Sequence, residues 1–403
     1  MNITKFCDMG KWNIFQQNKK ETKKEIRYIL SIDGGGMRGI IPAYLINKMD
    51  TILGEDFGDD RPFYSHFDLV AGTSTGALIA LALTSPIKEG ILTKQEGKYP
   101  VFEKHIIGRF FKKEEQIYKG DIEPLAASDA LLAMYLNRSG DIFKQPHHLK
   151  SLFGPVFSDK YDGKSLEEFL TEALGDTRLD ECLVPTIAVA YETNTSMPYI
   201  FSSRDSHGFL CSEAARASSA APTYFPASNL IDRETGEVLS LIDGGVVANN
   251  PTLLAYKEAR KLYPNADEYR ILSLSTCAPK HSVDVQSYTQ GAIAWASPLY
   301  KAYSEGQLAM VDEIVPSIKD LRYTRIWAPV LTKKIKLDDI SIEAKEQLLK
   351  AAGDTFLAKE DDIMAYLKEL SEEPTHNSIK LSNGSNLLDK PEDVKLISSS
   401  QDQ

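Results

Sequence analysis

The sequence Asp33–Gly39, DGGGMRG, directly follows the apolar run Ile26–Ile32 and precedes the apolar stretch Ile40–Leu53. This order predicts a buried strand, a glycine-rich turn and a helix in whose first turn Pro42 is tolerated. A second unit of the same kind begins with the run Phe67–Ala71. Repetition of strand, turn and helix predicts an α/β fold in which helices sandwich a central, mainly parallel sheet in three layers, α/β/α.

The turn of the second unit has the sequence GTSTG, which runs from Gly72 to Gly76 and fits the G-x-S-x-G pattern of a nucleophile elbow. Such an elbow holds a serine hydroxyl on a strained, exposed turn. Small flanking residues let the backbone adopt that conformation without clashes. Ser74 is therefore the candidate nucleophile, and a tight strand–helix turn without chemistry is the alternative.

The glycine-rich turn of the first unit offers backbone N–H groups at the start of a helix, where negative charge is favoured. Gly34, Gly36 and Gly39 also match G-x-G-x-x-G, the dinucleotide fingerprint. That fingerprint expects a second strand ending in an acidic residue about 20 residues further on. Residues 54–60 instead form an acidic stretch, GEDFGDD. The additional glycine and Arg38 fit a cradle for an oxyanion better, and nucleotide binding is the weaker alternative.

A third motif, Asp243-Gly244-Gly245, follows the strand-like run Val238–Ile242. An Asp-Gly pair that only forms a turn is the alternative. With two other motifs at strand ends, we expect this carboxylate to reach the same crevice, because strand ends along one edge of an α/β sheet converge. Partial burial would raise the pKa of the carboxyl and suit it to act as a general base.

A serine nucleophile needs a base, and an α/β-hydrolase supplies it in the chain order Ser, Asp, His. Only His281 and His376 follow Asp243, and His376 lies in a polar tail. His281 is thus the one serious candidate for a Ser-Asp-His triad, although its polar surroundings also fit a surface histidine. Without it, Asp243 must accept the proton of Ser74 directly.

Helix and strand patterns alternate along the rest of the chain. Pro251 suits the first position of a helix, with Asn250 as its cap. The basic, aromatic stretch Lys104–Lys113 fits a solvated helix or a patch that contacts lipid. Further elements are predicted at Thr75–Leu83, Ser165–Leu174, Val184–Tyr191, Pro251–Leu262, Glu268–Ser275 and, interrupted at Gly353, Ile340–Leu370.

Composition limits the classes of function. Of the 403 residues, 42% are hydrophobic and 26% are charged, which fits a globular protein with a sizeable core. The net charge of −11 argues against nucleic-acid partners and against a general attraction to anionic membranes. Four widely spaced cysteines favour free thiols in a reducing compartment. Without a visible leader or a long apolar span, we expect a cytoplasmic protein with at most peripheral membrane contact and no transmembrane anchor.

The three motifs together resemble those of the patatin-like phospholipases, which carry a D-G-G-G-x-[RK]-G loop, a G-x-S-x-G elbow and a D-G-[GA] base turn. The resemblance covers residues 26–370 and includes segments that look like plant-type patatins. These segments are Lys160–Lys164, Leu174–Leu179, Ala215–Pro226 and Leu337–Asp339. The motifs are highly specific in this combination.

This resemblance implies a patatin fold and hydrolysis of fatty-acyl esters of phospholipids and galactolipids at a membrane interface. It implies a catalytic dyad of Ser74 and Asp243, with no metal or other cofactor. In agreement, the sequence has no zinc or calcium ligand spacing. Two alternatives remain: a Ser-Asp-His hydrolase that acts on soluble esters, and a non-catalytic lipid-binding module.

The resemblance also assigns roles to the glycine-rich loop. Backbone N–H groups of Gly35 and Gly36 would form the oxyanion hole, and neighbouring Gly34 would shape the turn. Arg38 would order the loop or contact a phosphate, unless it forms only a surface salt bridge. The glycines that would shape the elbow and the base turn are Gly39, Gly72, Gly76, Gly244 and Gly245.

We expect three parts along the chain. Residues 1–25 read as an N-terminal extension, residues 26–370 as the patatin-like catalytic domain with its C-terminal helices, and residues 371–403 as a polar, disordered tail. Plant storage patatins carry a secretory leader, which is not visible here, so the resemblance implies a bacterial or cytosolic member.

Overall fold

The computed structural model of the chain describes residues 24–86, 97–104, 110–118, 127–143, 160–276, 292–328 and 335–373. The strands in these ranges are β1 Ile26–Ile32, β2 Leu69–Thr73, β3 Gly97–Lys104, β4 Phe110–Tyr118, β5 Thr186–Glu192, β6 Met197–Ser202, β7 Ser228–Ile231, β8 Val238–Asp243, β9 Glu268–Leu274 and β10 Leu321–Ile326. The α-helices are α1 Ile40–Phe57, α2 Thr75–Thr84, α3 Ala127–Ile142, α4 Lys164–Leu174, α5 Cys211–Ser218, α6 Gly245–Ala248, α7 Thr252–Leu262, α8 Ala292–Ile314, α9 Ile342–Ala358 and α10 Glu360–Glu372.

Eight of these strands form one sheet in the order β10-β9-β1-β2-β5-β8-β7, with β6 also paired to β5. The pairs from β10 to β5 are parallel, whereas β6 and β8 run antiparallel to β5, and β7 runs antiparallel to β8. Strands β3 and β4 form a separate antiparallel hairpin. The predicted α/β architecture is confirmed, with a parallel centre and an antiparallel edge.

Helices cover both faces of the sheet, which gives the three layers. Leu30 and Ile32 of β1 belong to a large buried cluster with α1, α2 and α9. Ile29, one residue along the strand, belongs to a second buried cluster with α7 and the end of α8. Successive side chains of a strand point to opposite faces, so a strand covered on both sides is mostly apolar. This is why β1 is apolar at every position except Arg27 and Ser31.

Several predicted elements match the structure closely. The strand Ile26–Ile32 is confirmed, and the helix predicted from Ile40 continues to Phe57, where Gly58 closes it with a φ of 65°. Helix α7 begins at Thr252, one residue later than predicted, so Pro251 rather than Asn250 occupies its N-cap position. Asn250 still accepts a hydrogen bond from the N–H of Thr252 at 3.0 Å. Phe67 and Asp68 precede β2, which starts at Leu69.

Two predictions are wrong. The C-terminal helical region is interrupted at Lys359, between α9 and α10, and Gly353 lies inside α9. A glycine in a helix costs only about 1 kcal/mol relative to alanine, which tertiary packing overrides. In the stretch 104–113, Lys104 ends β3 and residues 110–113 belong to β4, so the described part is strand rather than helix. Its aromatic residues favour strands as well.

The division into three parts is still a prediction, because residues 1–23 and 374–403 lie outside the described ranges. Two of the cysteines, Cys182 and Cys211, are buried free thiols whose Sγ atoms lie 3.8 Å apart. No helix among the described residues is long and apolar enough to cross a bilayer.

Candidate active site

Ser74 lies on the turn between β2 and α2, with φ 55° and ψ −123°. Such a positive φ is strained for a residue with a side chain, and strain of this kind concentrates at functional sites. The flanking glycines explain how the turn forms. A Cβ on Gly72 would overlap the backbone of Gly76, and a Cβ on Gly76 would overlap the carbonyl of Ile32. The elbow predicted from GTSTG is therefore present, and the backbone around Gly72 and Gly76 is packed too closely for a residue with a side chain at either position.

Asp243 reaches Ser74 through β5 rather than along a common edge of parallel strands. Thr73, the last residue of β2, pairs with Val189, and Asp243, the last residue of β8, pairs with Ala190. Because β6 pairs with the same β5 residues, β2 and β8 must share the opposite edge of β5. Strand β8 is antiparallel to β2, so the carboxyl ends of the two strands meet head to head, and the residues at those ends lie side by side.

The hydroxyl Oγ of Ser74 donates a hydrogen bond of 2.6 Å to Oδ2 of Asp243. The other carboxylate oxygen, Oδ1, accepts one from the N–H of Gly245 at 2.7 Å. Asp243 is only 3% exposed, and this burial raises the pKa of its carboxyl from 3.8 to about 6, although the two hydrogen bonds oppose the shift. A carboxylate with that pKa is ionised at neutral pH and is a stronger base than an exposed one.

The backbone of Ser74 is held by a residue that the sequence motifs did not indicate. The N–H of Ser74 donates to Oγ of Ser218 at 2.9 Å, and Ser218 donates its own proton to the carbonyl of Val189 at 2.5 Å. Ser218 ends α5, so one hydroxyl ties that helix, β5 and the elbow together.

The glycine-rich loop is held by its carbonyl groups. The carbonyl of Gly34 accepts hydrogen bonds from Thr276 at 2.5 Å and Asn249 at 3.4 Å, and that of Gly35 accepts two from Arg38, each 3.2 Å long. A trans peptide is planar, so fixing a carbonyl on one side points the following N–H to the other. The N–H groups of Gly35 and Gly36 are turned away from these partners, and no described residue accepts a hydrogen bond from either.

Gly34 differs from the two glycines that follow it. Its N–H donates to the carbonyl of Asn249 at 3.0 Å, so it is engaged and does not serve as a free donor. A Cβ on Gly34 would lie 3.2 Å from Cβ of Ser74, which shows how closely the loop passes the nucleophile. Gly34 therefore shapes the turn.

The far end of the loop packs against other parts of the fold. Gly36 has a φ of +56°, and a Cβ there would overlap the carbonyl of Leu337, which accepts the N–H of Met37 at 2.8 Å. A Cβ on Gly39 would crowd Thr75 and Tyr135, whose hydroxyl groups are hydrogen-bonded to each other. Leu337 belongs to a segment that resembles plant patatins. Its carbonyl packs against Gly36 and binds the N–H of Met37, so it helps to hold the loop in place.

Of the three interpretations of Arg38, ordering of the loop matches its contacts, because its Nε and its backbone N–H both donate to the carbonyl of Gly35. Gly244 is needed for close approach, since a Cβ there would overlap the carbonyl of Val189. His281, the candidate third member of a triad, lies in residues 277–291, outside the described ranges.

Sequence reasoning missed four residues that support the site. Each lies far along the chain from the group that it contacts and belongs to no motif, so only the folded structure reveals it. Ser218 falls within a segment that resembles patatins, and Thr276 follows a predicted strand end, which are the only signals that the sequence offered. The four residues are Ser218, Asn249, Thr276 and Arg325.

The described residues contain no group of three or more His, Cys, Asp or Glu side chains arranged to hold a metal ion. Metal-independent chemistry is therefore still a prediction that rests on the resemblance. What the arrangement provides by itself is a hydroxyl bonded to a buried carboxylate, next to two backbone N–H groups without an acceptor among the described residues. These groups are a candidate nucleophile, a candidate base and a candidate site for an oxyanion.

Comparison with known proteins agrees with this geometry. The family model described as patatin-like phospholipase matches residues 30–256. Patatin-like protein 2 of Arabidopsis thaliana is 30% identical over 373 residues, which cover 82% of this chain and 83% of that protein. Patatin-15 of Solanum tuberosum is 26% identical over 370 residues, or 83% of this chain and 85% of its own.

A second plant relative matches a shorter part. Patatin-like protein 2 of Oryza sativa subsp. indica is 35% identical over 245 residues, 58% of this chain and 53% of that protein. Among solved structures, VipD from Legionella pneumophila aligns with a TM-score of 0.34 and 12% identity, over 86% of this chain and 67% of that one, which is too distant to bear on the site. The family model and the Arabidopsis relative show that the chain belongs to the patatin-like phospholipase family, whose general activity is the hydrolysis of lipid acyl groups.

Proposed function

We propose that this protein cleaves fatty-acyl esters of membrane lipids through an acyl-enzyme intermediate on Ser74, with Asp243 as the only general base. The observation that carries the proposal is the 2.6 Å hydrogen bond from Ser74 Oγ to Asp243 Oδ2, together with the raised pKa of the buried carboxyl. A base must lie within hydrogen-bond reach of the proton that it removes, and its pKa should lie near the working pH. Asp243 meets both conditions.

In the first half-reaction, Ser74 Oγ attacks the ester carbonyl carbon while its proton passes to Asp243. The carbonyl oxygen becomes an oxyanion, for which the N–H groups of Gly35 and Gly36 are the proposed donors. When the tetrahedral intermediate collapses, the bond to the alcohol oxygen breaks, and Asp243 returns the proton to that oxygen. The lyso-lipid leaves and the acyl group stays on Ser74.

In the second half-reaction, a water molecule takes the place of the alcohol and gives a proton to Asp243 as it attacks the acyl-serine. A second oxyanion forms in the same cradle and collapses. The bond from the acyl carbon to Ser74 Oγ breaks, and the proton returns from Asp243 to that oxygen. The products are a free fatty acid and the original enzyme, so no cofactor is consumed.

The substrate class is a phospholipid or galactolipid presented at a membrane surface, as the family resemblance suggests. The experiment compares wild-type protein with Ser74→Ala on vesicles of defined phosphatidylcholine and of defined galactolipid, and identifies the products by mass spectrometry. We expect free fatty acid and lyso-lipid from the wild type and neither from Ser74→Ala. Full activity of Ser74→Ala would overturn the proposal.

Two further variants separate the alternatives. Asp243→Asn should lower kcat on a soluble p-nitrophenyl ester by about 10³-fold, as for loss of a general base with the nucleophile in place. His281→Gln should leave kcat within about twofold, and a loss as large as that of Asp243→Asn would favour a Ser-Asp-His triad. A fluorophosphonate probe that labels the wild type but not Ser74→Ala would exclude a non-catalytic lipid-binding module.

A further inference from the structure

The first residue of the glycine-rich loop, Asp33, is held by an arginine from the opposite end of the chain. Nη1 of Arg325 donates to Oδ1 of Asp33 at 2.8 Å, and Nη2 donates to Oδ2 at 2.5 Å. The two side chains are 5% and 2% exposed. The planar guanidinium fork fixes both the position and the orientation of a carboxylate, which a lysine cannot do.

The sheet register explains how these residues meet. Arg325 of β10 pairs with Ser273 of β9, and Ser273 pairs with Ser31 of β1. Residues in register on parallel strands point to the same face, so these three form a polar row across a buried sheet near the carboxyl ends of its strands. Arg325 donates to Oγ of Ser273 at 2.8 Å and extends beyond it to Asp33.

The row is linked to the start of the helix that follows the base turn. Thr252, the first residue of α7, bonds Ser31 at 2.9 Å and Ser273 at 3.3 Å through its hydroxyl. Asn250 accepts the N–H of Thr252 through its side-chain oxygen and donates to the hydroxyl of Tyr323 of β10 at 3.0 Å. Asn250 is the chain neighbour of Asn249, whose carbonyl accepts the N–H of Gly34. The same buried network therefore touches the loop at Asp33 and, through Asn249, at Gly34.

The guanidinium also has aromatic and acidic neighbours on its other sides. Its Cζ lies 4.6 Å from the ring centroid of Trp327, and its Nε lies 3.9 Å from a carboxylate oxygen of Asp312. Tyr323 donates to that same oxygen at 3.0 Å. Burial disfavours the charge of Arg325, but the Asp33 carboxylate outweighs it and holds the arginine pKa above its ordinary value. Burial also raises the pKa of the Asp33 carboxyl, although the Arg325 guanidinium opposes that shift.

Stability alone does not account for a fully buried ion pair at this position. Removing two charges from water is costly, and replacing such a pair by apolar residues of similar volume is often neutral or stabilising. What apolar residues cannot supply is a directional hold on both oxygens of Asp33. Asp33 directly follows β1, and the peptides of Gly34, Gly35 and Gly36 come next in the turn, so the orientation of Asp33 sets theirs.

We propose that Arg325 is a positioning residue that, through Asp33, aims the N–H groups of Gly35 and Gly36 at the oxyanion. The proposal rests on the function proposed above, because it presupposes that these donors stabilise the transition state. Donors of this kind must be held in place before the reaction, and a displacement of about 1 Å can cost as much as 10²-fold in rate. Arg325 would act on kcat without touching the substrate.

The test separates loss of position from loss of stability. Variants Arg325→Met, Asp33→Asn and the double variant Asp33→Asn/Arg325→Met are compared for kcat and KM on a soluble p-nitrophenyl ester and for the midpoint of denaturant unfolding. Each single variant leaves a buried charged partner unpaired and should lower the midpoint, whereas the double variant removes both charges and should recover most of it. We expect kcat to stay about 10- to 100-fold low in the double variant as well, with KM within about threefold.

Two more variants complete the design. Arg325→Lys keeps the charge without the fork, so its kcat should lie between the wild type and Arg325→Met. Arg322→Met is the matched control, because Arg322 lies on the same strand but is 41% exposed and pairs with Glu369 at the surface. Its kcat should be that of the wild type.

If kcat recovers together with the unfolding midpoint in the double variant, the ion pair is merely structural and the proposal is wrong. An unchanged kcat in Arg325→Met also overturns it, while activity that depends on Ser74 would leave the proposed function intact. Conversely, activity that survives Ser74→Ala refutes the proposed function whatever the Arg325 variants do. Should Arg325→Met fail to fold, kcat and the unfolding midpoint of the double variant and of Arg325→Lys are compared with those of the wild type instead.

Discussion

Ser218 accepts a hydrogen bond from the backbone N–H of Ser74, the proposed nucleophile, and its own hydroxyl donates to the carbonyl of Val189, the residue that pairs with the end of β2. One hydroxyl thus links the strained turn to the strand that also sets the place of Asp243. The strain of a positive φ at Ser74 persists only if surrounding contacts over-determine it. Ser218 supplies one of those contacts from a helix with no motif of its own.

Ser218→Ala should therefore relax the elbow. The variant leaves a buried N–H and a buried carbonyl without their partner, which costs about 1–3 kcal/mol of unfolding free energy. We expect kcat on a soluble ester to fall about tenfold or more, because the hydroxyl of Ser74 leaves its aligned position, while KM changes little. Denaturant unfolding and steady-state kinetics measure the two effects. Ser212→Ala, near the start of the same helix, is the matched control, and an equal loss of kcat there would count against a specific role for Ser218.

Activity should titrate with Asp243. Since burial raises the pKa of this carboxyl to about 6, kcat/KM should fall about tenfold per pH unit below pH 6, as the free enzyme's base becomes protonated. The pH profile of wild-type protein on a soluble ester measures the midpoint. His281→Gln should keep the acid limb, whereas Asp243→Asn should abolish it in whatever activity remains. An acid limb near pH 4 would mean that the carboxyl is not desolvated in solution.

The same shift makes Asp243 costly for stability. A carboxyl whose pKa is higher in the folded than in the unfolded protein favours folding below pH 3.8, and that contribution disappears as the pH rises through 6. At pH 8 the buried carboxylate then costs about 3 kcal/mol relative to its neutral form. Asp243→Asn should be more stable than the wild type by about 1–3 kcal/mol at pH 8, because its amide needs no ionisation.

The comparison must be made at two pH values. At pH 4 the carboxyl is already neutral in the folded wild-type protein, so most of the stability advantage of Asp243→Asn should be lost there. Urea unfolding of both proteins at each pH gives the difference directly, and other titrating groups cancel because both proteins contain them. An advantage of equal size at both pH values would contradict the linkage.

Much of the fold could be predicted because its central strands obey a local rule. Ile26–Ile32 is packed on both faces and is therefore apolar at every position except Arg27 and Ser31, and the glycine turn that follows marks its end. The antiparallel edge could not be predicted, because a run such as Val238–Ile242 gives no sign of its direction. The break at Lys359 was missed for a related reason, since Gly353 is the stronger local signal but packing keeps it helical.

The candidate site divides in the same way. Ser74, Asp243 and the glycines of the loop lie in motifs whose residue types are demanded by local backbone geometry, so the sequence reveals them. The route by which Asp243 reaches Ser74 is different from the one expected, because it depends on the register of β5 with two strands of opposite direction. Ser218 and Arg325 act across 144 and 292 residues of chain, and no local pattern records such contacts.

Two glycine variants test whether close backbone approach defines the base turn. Gly244 has an ordinary helical conformation, with φ −64° and ψ −16°, so alanine is allowed there by its dihedral angles. A Cβ would nevertheless overlap the carbonyl of Val189, which is backbone and cannot swing aside. Gly244→Ala should therefore destabilise the fold by about 1–3 kcal/mol, as overpacked sites do. It should also lower kcat by at least about tenfold, because Asp243 must shift with the turn.

Gly54 is the matched control, since it lies inside α1 and a Cβ there would meet no atom within 4 Å. Gly54→Ala should stabilise the protein by about 0.5–1 kcal/mol, because alanine loses less backbone entropy in a helix, and should leave kcat unchanged. Thermal unfolding and ester hydrolysis of the two variants measure the contrast. If Gly244→Ala kept wild-type kcat and stability, a Cβ at this position would be tolerated, and close packing against Val189 would not be what requires a glycine in the base turn.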